Sequence, residues 1–412
     1  MSANHDGVQQ SELWEISRQL VSFNTVSDLS NVQIAEYLAN MLEDLGYTVR
    51  VLKKTVNNVE KANIVAWAGP EVPGGLIISG HMDVVPFEGQ PGWRSNPLEL
   101  HLVNDTICGR GTSDMKVFLA QAILAARRYP THQLKRPLMF IFVCDEEIAG
   151  QGSARLIQEL PALFANYPLP EVALIGEPTA YDIFAAHKGY AMFDIIVHGV
   201  GGHSSDPSKG LNAIEKMGDV IHLLQQINND LRNNVRSENK VLFPTAPSSL
   251  LNLAVIRGGL AANIIAETCQ LTVSLRTAPG DQTEEIITRL RERIEHEIVP
   301  TMLSAAPDKS DVGITLENLI TTPALRSPVD DAFCHLLCNV MNRQVDCGAP
   351  YATDGGHFQQ IDINSYICGP GLLEQAHQPN ESIPVSNFVS GQEKLEQIIY
   401  QWCVDPYPTC HT

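Results

Sequence analysis

The chain has 412 residues, 44% of them hydrophobic and 18% charged, and its 28 basic and 47 acidic side chains give a formal net charge of −19. That length exceeds one ordinary core and predicts two domains of normal globular composition. So large an acidic excess excludes nucleic acid and an anionic membrane surface as the main partner, and no apolar run is long enough to cross a bilayer.

Residues 1–11 are polar and carry no apolar signal core. Ser11 is placed to cap a helix that opens at Glu12 and runs to about Leu20. A second helix, residues 31–45, carries Val32, Ala35, Leu38, Met41 and Leu45 at helical spacing and stops at Gly46. Strands are expected at residues 48–51, 63–66 and 76–79. The last of these runs into Gly80-His81-Met82-Asp83-Val84-Val85-Pro86. Residues i and i+2 of an extended segment share a face, so His81 and Asp83 point the same way. A metal-ligating histidine oriented by a carboxylate has this form, and so does a purely structural His–Asp pair.

A turn-rich loop at Pro91-Gly92-Trp93 precedes Cys108-Gly109-Arg110-Gly111-Thr112-Ser113-Asp114-Met115-Lys116 and a helix over residues 117–127. The glycine spacing is not that of a phosphate-binding loop, and Asp114 taken alone reads as a helix cap. The apolar strand 138–143 ends in Cys144-Asp145-Glu146-Glu147. Three successive carboxylates beside a buried strand are costly unless cations offset them. Strand 172–175 repeats the pattern and delivers Glu177.

After Thr179 the pattern changes. A strand at 190–197 is followed by a helix at 211–231 with Ile214, Met217, Val220, Ile221, Leu224 and Ile227 on one stripe. Strands at 251–256 and 268–275 and a helix at 283–298 complete a small α+β domain. It occupies residues 181–298 and interrupts an α/β domain built from 1–180 and 299–412. The α/β domain resumes with a helix at 330–341, a strand at 365–368 and a helix at 393–402. The nine cysteines, Cys108, Cys144, Cys269, Cys334, Cys338, Cys347, Cys368, Cys403 and Cys410, are scattered and lack a CxxC pair. That usage suits a reducing compartment, the cytoplasm, with most thiols packed as small hydrophobes.

Five places now carry ligand-type residues: His81, Asp114, Glu146 with Glu147, Glu177 and His377. Most follow the carboxyl end of a predicted strand, where an open α/β sheet places its site. Mixed histidine and carboxylate donors suit zinc, and cobalt or manganese accept the same set. Two histidines and three carboxylates exceed one open zinc site and fit two ions about 3.5–4 Å apart that share a carboxylate.

The motifs SGHMDVVP, GRGTSDMK, CDEE, GEPT, GHSSDP and AHQPNE stand in the order of one family, and the chain resembles it over nearly its whole length. These are the co-catalytic zinc peptidases and amidohydrolases, among them acetylornithine deacetylases, succinyl-diaminopimelate desuccinylases, aminoacylases and glutamate carboxypeptidases. The resemblance implies a mixed-sheet, two-metal catalytic domain with an inserted ferredoxin-like α+β lid that also forms a homodimer. It places His81 and Glu177 on one metal, Glu147 and His377 on the other, and Asp114 between them. Asp83 would orient His81, and Glu146 would be the general base.

The same likeness makes His203, in Gly202-His203-Ser204-Ser205, a donor that reaches the site of the partner subunit; its residues alone suggest a surface or turn histidine. Arg276 matches the family's arginine for a substrate carboxylate, with a surface salt bridge as the alternative. Asn263, Lys188 and Thr353 match further substrate contacts. Val117 departs from the glycine that commonly follows Asp-Met-Lys, which bears on packing behind the bridging carboxylate. Gly369-Pro370-Gly371 followed by Glu374 to Pro379 looks most like the acetylornithine deacetylases. Glu374 would then face a substrate ammonium, favouring N-acetylornithine as the small-molecule N-acyl amino acid. The alternatives are a desuccinylase or a broader aminoacylase or dipeptidase.

Overall fold

The computed structural model describes residues 5–165, 167–307 and 309–406, so Cys410 lies outside the described residues. The chain forms two compact units. One takes in the chain up to Ala186, Leu325–Ala349 and the chain from Thr353; the other is His187–Ala324 with Pro350–Ala352.

The first unit is built on a six-stranded sheet in the order Thr48–Val56, Val59–Ala68, Leu138–Val143, Leu76–His81, Val172–Ile175, Asn364–Ile367. The first two pairings are antiparallel and the remaining three parallel. Every residue of the three central strands is buried. Strands covered on both faces cannot alternate polar with apolar, which is why these read as nearly continuous apolar runs, with Ser79 and the terminal His81 as the exceptions. Ser11 caps the first long helix, Glu12–Ser22, by accepting from Trp14 N at 3.1 Å. Gly46, at φ +86°, follows the helix Val32–Asp44 in the left-handed conformation that ends helices. Val385–Ile399 and Glu12–Ser22 both pack on Lys116–Arg127. The final helix starts at Val385, eight residues before its expected start, because Val385, Phe388, Leu395, Ile398 and Ile399 form its buried stripe.

The second unit runs strand Gly189–His198, helix Ala213–Asn233, strands Leu250–Gly258 and Thr268–Thr277, helix Thr283–Arg293 and strand Gly313–Thr322. The sheet order is Leu250–Gly258, Thr268–Thr277, Gly189–His198, Gly313–Thr322, antiparallel throughout, which is the ferredoxin-like arrangement. The last strand escapes a sequence reading. A register shift between Glu317 and Ile320, with Asn318 at φ +53°, breaks the two-residue alternation that marks a strand. The unit therefore extends to Ala324, beyond the expected boundary at residue 298. On the helix Ala213–Asn233 the buried face includes Met217, Val220, Leu224, Ile227 and Leu231, and Ile214 is 45% exposed rather than part of it.

Cys144, Cys269, Cys334, Cys368 and Cys403 are buried, and Cys338 packs half-buried against the first unit's core. Among the described residues no helix is long and apolar enough to cross a membrane.

Candidate metal centre

Three neighbouring parallel strands aim their carboxyl ends at one place. His81 is the last residue of its strand, Glu146 and Glu147 follow Leu138–Val143, and Glu177 follows Val172–Ile175. His81 Nδ1 lies 2.9 Å from the backbone oxygen of Asp83. A carbonyl only accepts, so Nδ1 carries the proton and Nε2 is left to face Asp114 Oδ1, also at 2.9 Å. The Asp83 carboxylate is 3.8 Å from Nδ1. It accepts instead from Ser27 Oγ at 2.7 Å and from the N–H groups of Glu146 and Glu147 at 3.1 and 3.2 Å. Asp83 thus orients His81 through its main chain, and its side chain holds the acidic turn.

Asp114 does not cap the following helix, whose N-cap is Met115. Its second oxygen lies 3.3 Å from His377 Nε2, which is also 3.0 Å from Glu147 Oε2. The loop carrying Asp114 is shaped by Glu381, four residues after His377. Glu381 Oε1 accepts from Ser113 N and Asp114 N at 2.8 and 2.9 Å. Its Oε2 accepts from Gly111 N at 3.0 Å and from Arg110 Nη1 at 2.8 Å. Neither Arg110 nor Glu381 stands out as a site residue in the sequence. The available signal is an arginine between two glycines together with the glutamate that closes AHQPNE.

Two groups of ligand atoms result, each with all its atoms within 4.8 Å of one another: His81, Asp114 and Glu177, and Asp114, Glu147 and His377. Asp114 belongs to both, and Glu146 to neither. Glu177 Oε1 is buried without a hydrogen-bond partner among the described residues. Burial, and then the charge of Glu177, push the Glu146 carboxyl well above the ordinary range. Burial followed by the Asp114 charge does the same to Glu177 and raises Glu147. Burial works against the His81 cation, but Asp114 outweighs it and holds His81 well above its usual value. Hydrogen bonds that His377 donates to Asp114 and Glu147 raise it to about 10. Burial opposes ionisation of Asp114, yet the two imidazoles hold it below the usual carboxylate range. Four carboxylates repelling one another around a shared Asp114, with an orphaned Glu177 oxygen, fit a pair of divalent cations.

Asp354, directly after Thr353, is a further buried carboxylate facing this cluster. Burial, with Asp83 adding, raises it to about 6. Thr353 itself is buried and accepts from Gly355 N at 3.2 Å. Glu374 is exposed. Val117 is fully buried in the core next to the Asp114 loop.

The remaining expected residues belong to the second unit. The Arg276 guanidinium stacks on the Tyr190 ring at 4.4 Å. Lys188 donates to Ser248 O at 2.6 Å, and burial and the Arg276 charge hold its pKa down. The exposed His203 bonds Ser205 Oγ at 2.7 Å, and next to it Ser204 N donates to Asn263 O at 3.1 Å.

Residues 77–401 match the model of peptidase family M20/M25/M40. The chain is 32% identical over 397 residues, 94% of its length and 97% of the relative's, to an acetylornithine deacetylase of Salmonella arizonae. Its structure matches an M20 family metallo-carboxypeptidase from Sulfolobus solfataricus with a TM-score of 0.74 at 16% identity, covering 95% of this chain and 99% of that one. It also matches a dinuclear metal-binding peptidase of the M20 family from Bacillus subtilis with a TM-score of 0.60 at 17% identity, covering 96% and 99%. The chain belongs to the M20/M25/M40 peptidase family and is a metal-dependent amidohydrolase.

Proposed function

We propose that this amidohydrolase removes the acyl group of an N-acyl amino acid, with N-acetylornithine as the substrate and ornithine and acetate as the products, a step of arginine biosynthesis. The observation that carries the amide chemistry is the pair of ligand groups sharing Asp114, with Glu146 beside them and outside both. The likeness to an acetylornithine deacetylase over 94% of the chain supports the acyl group and the substrate.

His81, Asp114 and Glu177 would hold one ion, and Asp114, Glu147 and His377 the other; zinc suits these donors best and cobalt fits them too. When bound, the ions supply Lewis acidity to the attacking water and the acyl carbonyl. Glu146 takes the proton of that water on a carboxylate oxygen and passes it to the departing amine nitrogen. Burial beside Glu177 strengthens its hold on the proton between those events. Arg276 and Lys188, two neighbouring cations, suit the substrate carboxylate, and Asn263 and Thr353 would add neutral contacts. Glu374 would meet the side-chain ammonium, and His203 would donate to the carbonyl oxygen as it becomes negative.

His203 acts in this way from a second copy, so the enzyme is a homodimer through its second unit. The outer strand Leu250–Gly258 supports this, with Val255 and Ile256 exposed on it and Leu260 and Ile264 exposed beside it. Sedimentation of the full chain as a monomer at micromolar concentration excludes that part. The eight cysteines among the described residues are unpaired, which suits a cytoplasmic location. A substrate panel with zinc or cobalt tests the whole: N-acetylornithine, N-succinyl-diaminopimelate, N-acetylmethionine and simple dipeptides. N-acetylornithine should give the highest kcat/KM, and preference for any other member replaces the substrate assignment.

The site also sets a pH dependence. Stripped of metal by a chelator, the folded chain binds protons at His81, His377, Glu146, Glu147 and Glu177 more tightly than the unfolded chain does. Each such group contributes stability that is fully present below its unfolded value, 4.5 for Glu and 6.5 for His, and is lost as pH rises, for His377 through about 10. Asp114 acts oppositely, but only below its ordinary value of 3.8. Metal must displace the same protons, so it binds more tightly at higher pH. The Tm difference between zinc-loaded and chelated protein, read by calorimetry, should widen from about pH 6 to about pH 9. A constant or narrowing gap contradicts the assignment.

A further inference from the structure

Lys61 is a lysine in an unusual place. It sits on Val59–Ala68 with a side chain only 6% exposed. In register it stands directly opposite Lys54 on Thr48–Val56, an unfavourable like-charge pair. A buried ammonium persists only where its protons are satisfied. The Lys61 Nζ donates to the backbone oxygens of Ser27 and of Leu29, the latter at 2.7 Å, and forms an ion pair with Asp145 Oδ1 at 2.9 Å.

Those partners lie on two segments that meet the metal cluster. Asp145 opens the acidic turn in the left-handed conformation, φ +58°, and its other oxygen takes Arg155 Nη2 at 2.7 Å. Ser27 reaches the same turn from the other side. Its hydroxyl donates to Asp83 Oδ2, and Asp83 accepts the N–H groups of Glu146 and Glu147. The turn is therefore gripped at its start by Lys61 and Arg155 and along its backbone by Asp83. Lys61 joins the two grips because it also tethers the Ser27 segment. The first ligand group does not depend on this link, since His81 ends a strand and is oriented by the main chain of Asp83.

We infer that Lys61 is a positioning residue for the acidic turn, setting the aim of Glu146 and Glu147 through Asp145 and the Ser27–Asp83 hydrogen bond. The inference rests on the two-metal reading of the cluster. Supporting groups around metal ligands typically change affinity or activity by about 10- to 100-fold. The effect here should fall on the site that contains Glu147 and spare the one that contains Glu177.

The test is calorimetric titration of the metal-free, full-length protein with zinc ion, with steady-state kinetics on the same samples. Lys61→Met should weaken one of two binding events by about 10- to 100-fold and leave the other within about threefold. In the same variant kcat should fall while KM stays near the wild-type value. Ser27→Ala should shift the same event in the same direction by less. Lys54→Met, the exposed neighbour across the strand pair, should change neither. Two wild-type events that persist unchanged in Lys61→Met overturn the inference and leave the two-metal reading standing, and so does equal weakening of both events. A wild-type titration that saturates at one zinc ion per chain overturns the two-metal reading and the inference with it. Should Lys61→Met fail to fold, Ser27→Ala decides: an unchanged pair of events overturns the inference.

Discussion

Glu146→Gln should lower kcat by about 10²- to 10⁴-fold, the range for losing a general base, while the protein still binds two metal ions. Glu146 belongs to neither ligand group, so its loss removes no donor from a metal. Its backbone N–H, not its side chain, is what Asp83 holds, so the turn and Glu147 keep their places. Glutamine has the same length and can still hydrogen-bond water, but it cannot accept the proton that water gives up. The change therefore acts on turnover, with KM little altered. Kinetics and metal analysis on one sample check both halves. Near-normal turnover refutes the role of Glu146, and loss of a metal ion means Glu146 is a ligand instead.

Much of this site is legible in the sequence because the sheet makes it so. The fully buried parallel strands are almost wholly apolar, and the ionisable residues at or just past their carboxyl ends are those the fold delivers to its rim: His81, then Asp145, Glu146 and Glu147, and Glu177. Asp114 and His377 follow no strand directly, and they become persuasive only as members of a set. What escapes the sequence is long-range pairing. Nothing local to Glu381 says that its two oxygens take three backbone N–H groups and Arg110 from a loop some 270 residues away. Nor does the spacing of His81 and Asp83 tell a carboxylate contact from a main-chain one, which differ here by 0.9 Å, 3.8 against 2.9. Lys61 is hidden for the same reason. A lysine on a strand beside an apolar run looks like an edge residue until two backbone oxygens and a carboxylate converge on it.

Asp114→Asn should cost the protein both metal ions, whereas Glu177→Ala and His377→Ala should each cost one. Glu177 and His377 appear in one ligand group apiece, and Asp114 appears in both, with Oδ1 toward His81 and Oδ2 toward His377. The asparagine keeps the volume and one carbonyl oxygen, so the loop that Glu381 holds by backbone N–H groups is not disturbed. It removes the negative charge and one donor atom, and an amide nitrogen turned toward either ion repels it. Affinity at each site should fall by at least about 100-fold, the upper end of what supporting residues alone contribute, and activity should fall to background because no site keeps its ion. Titration of the metal-free variant with zinc, beside the two single-site variants, separates the possibilities. One ion lost in Asp114→Asn would place Asp114 in a single site. None lost would leave the hydrogen bonds to His81 and His377 as its whole role, and the shared carboxylate on which the amide chemistry rests would have to be given up.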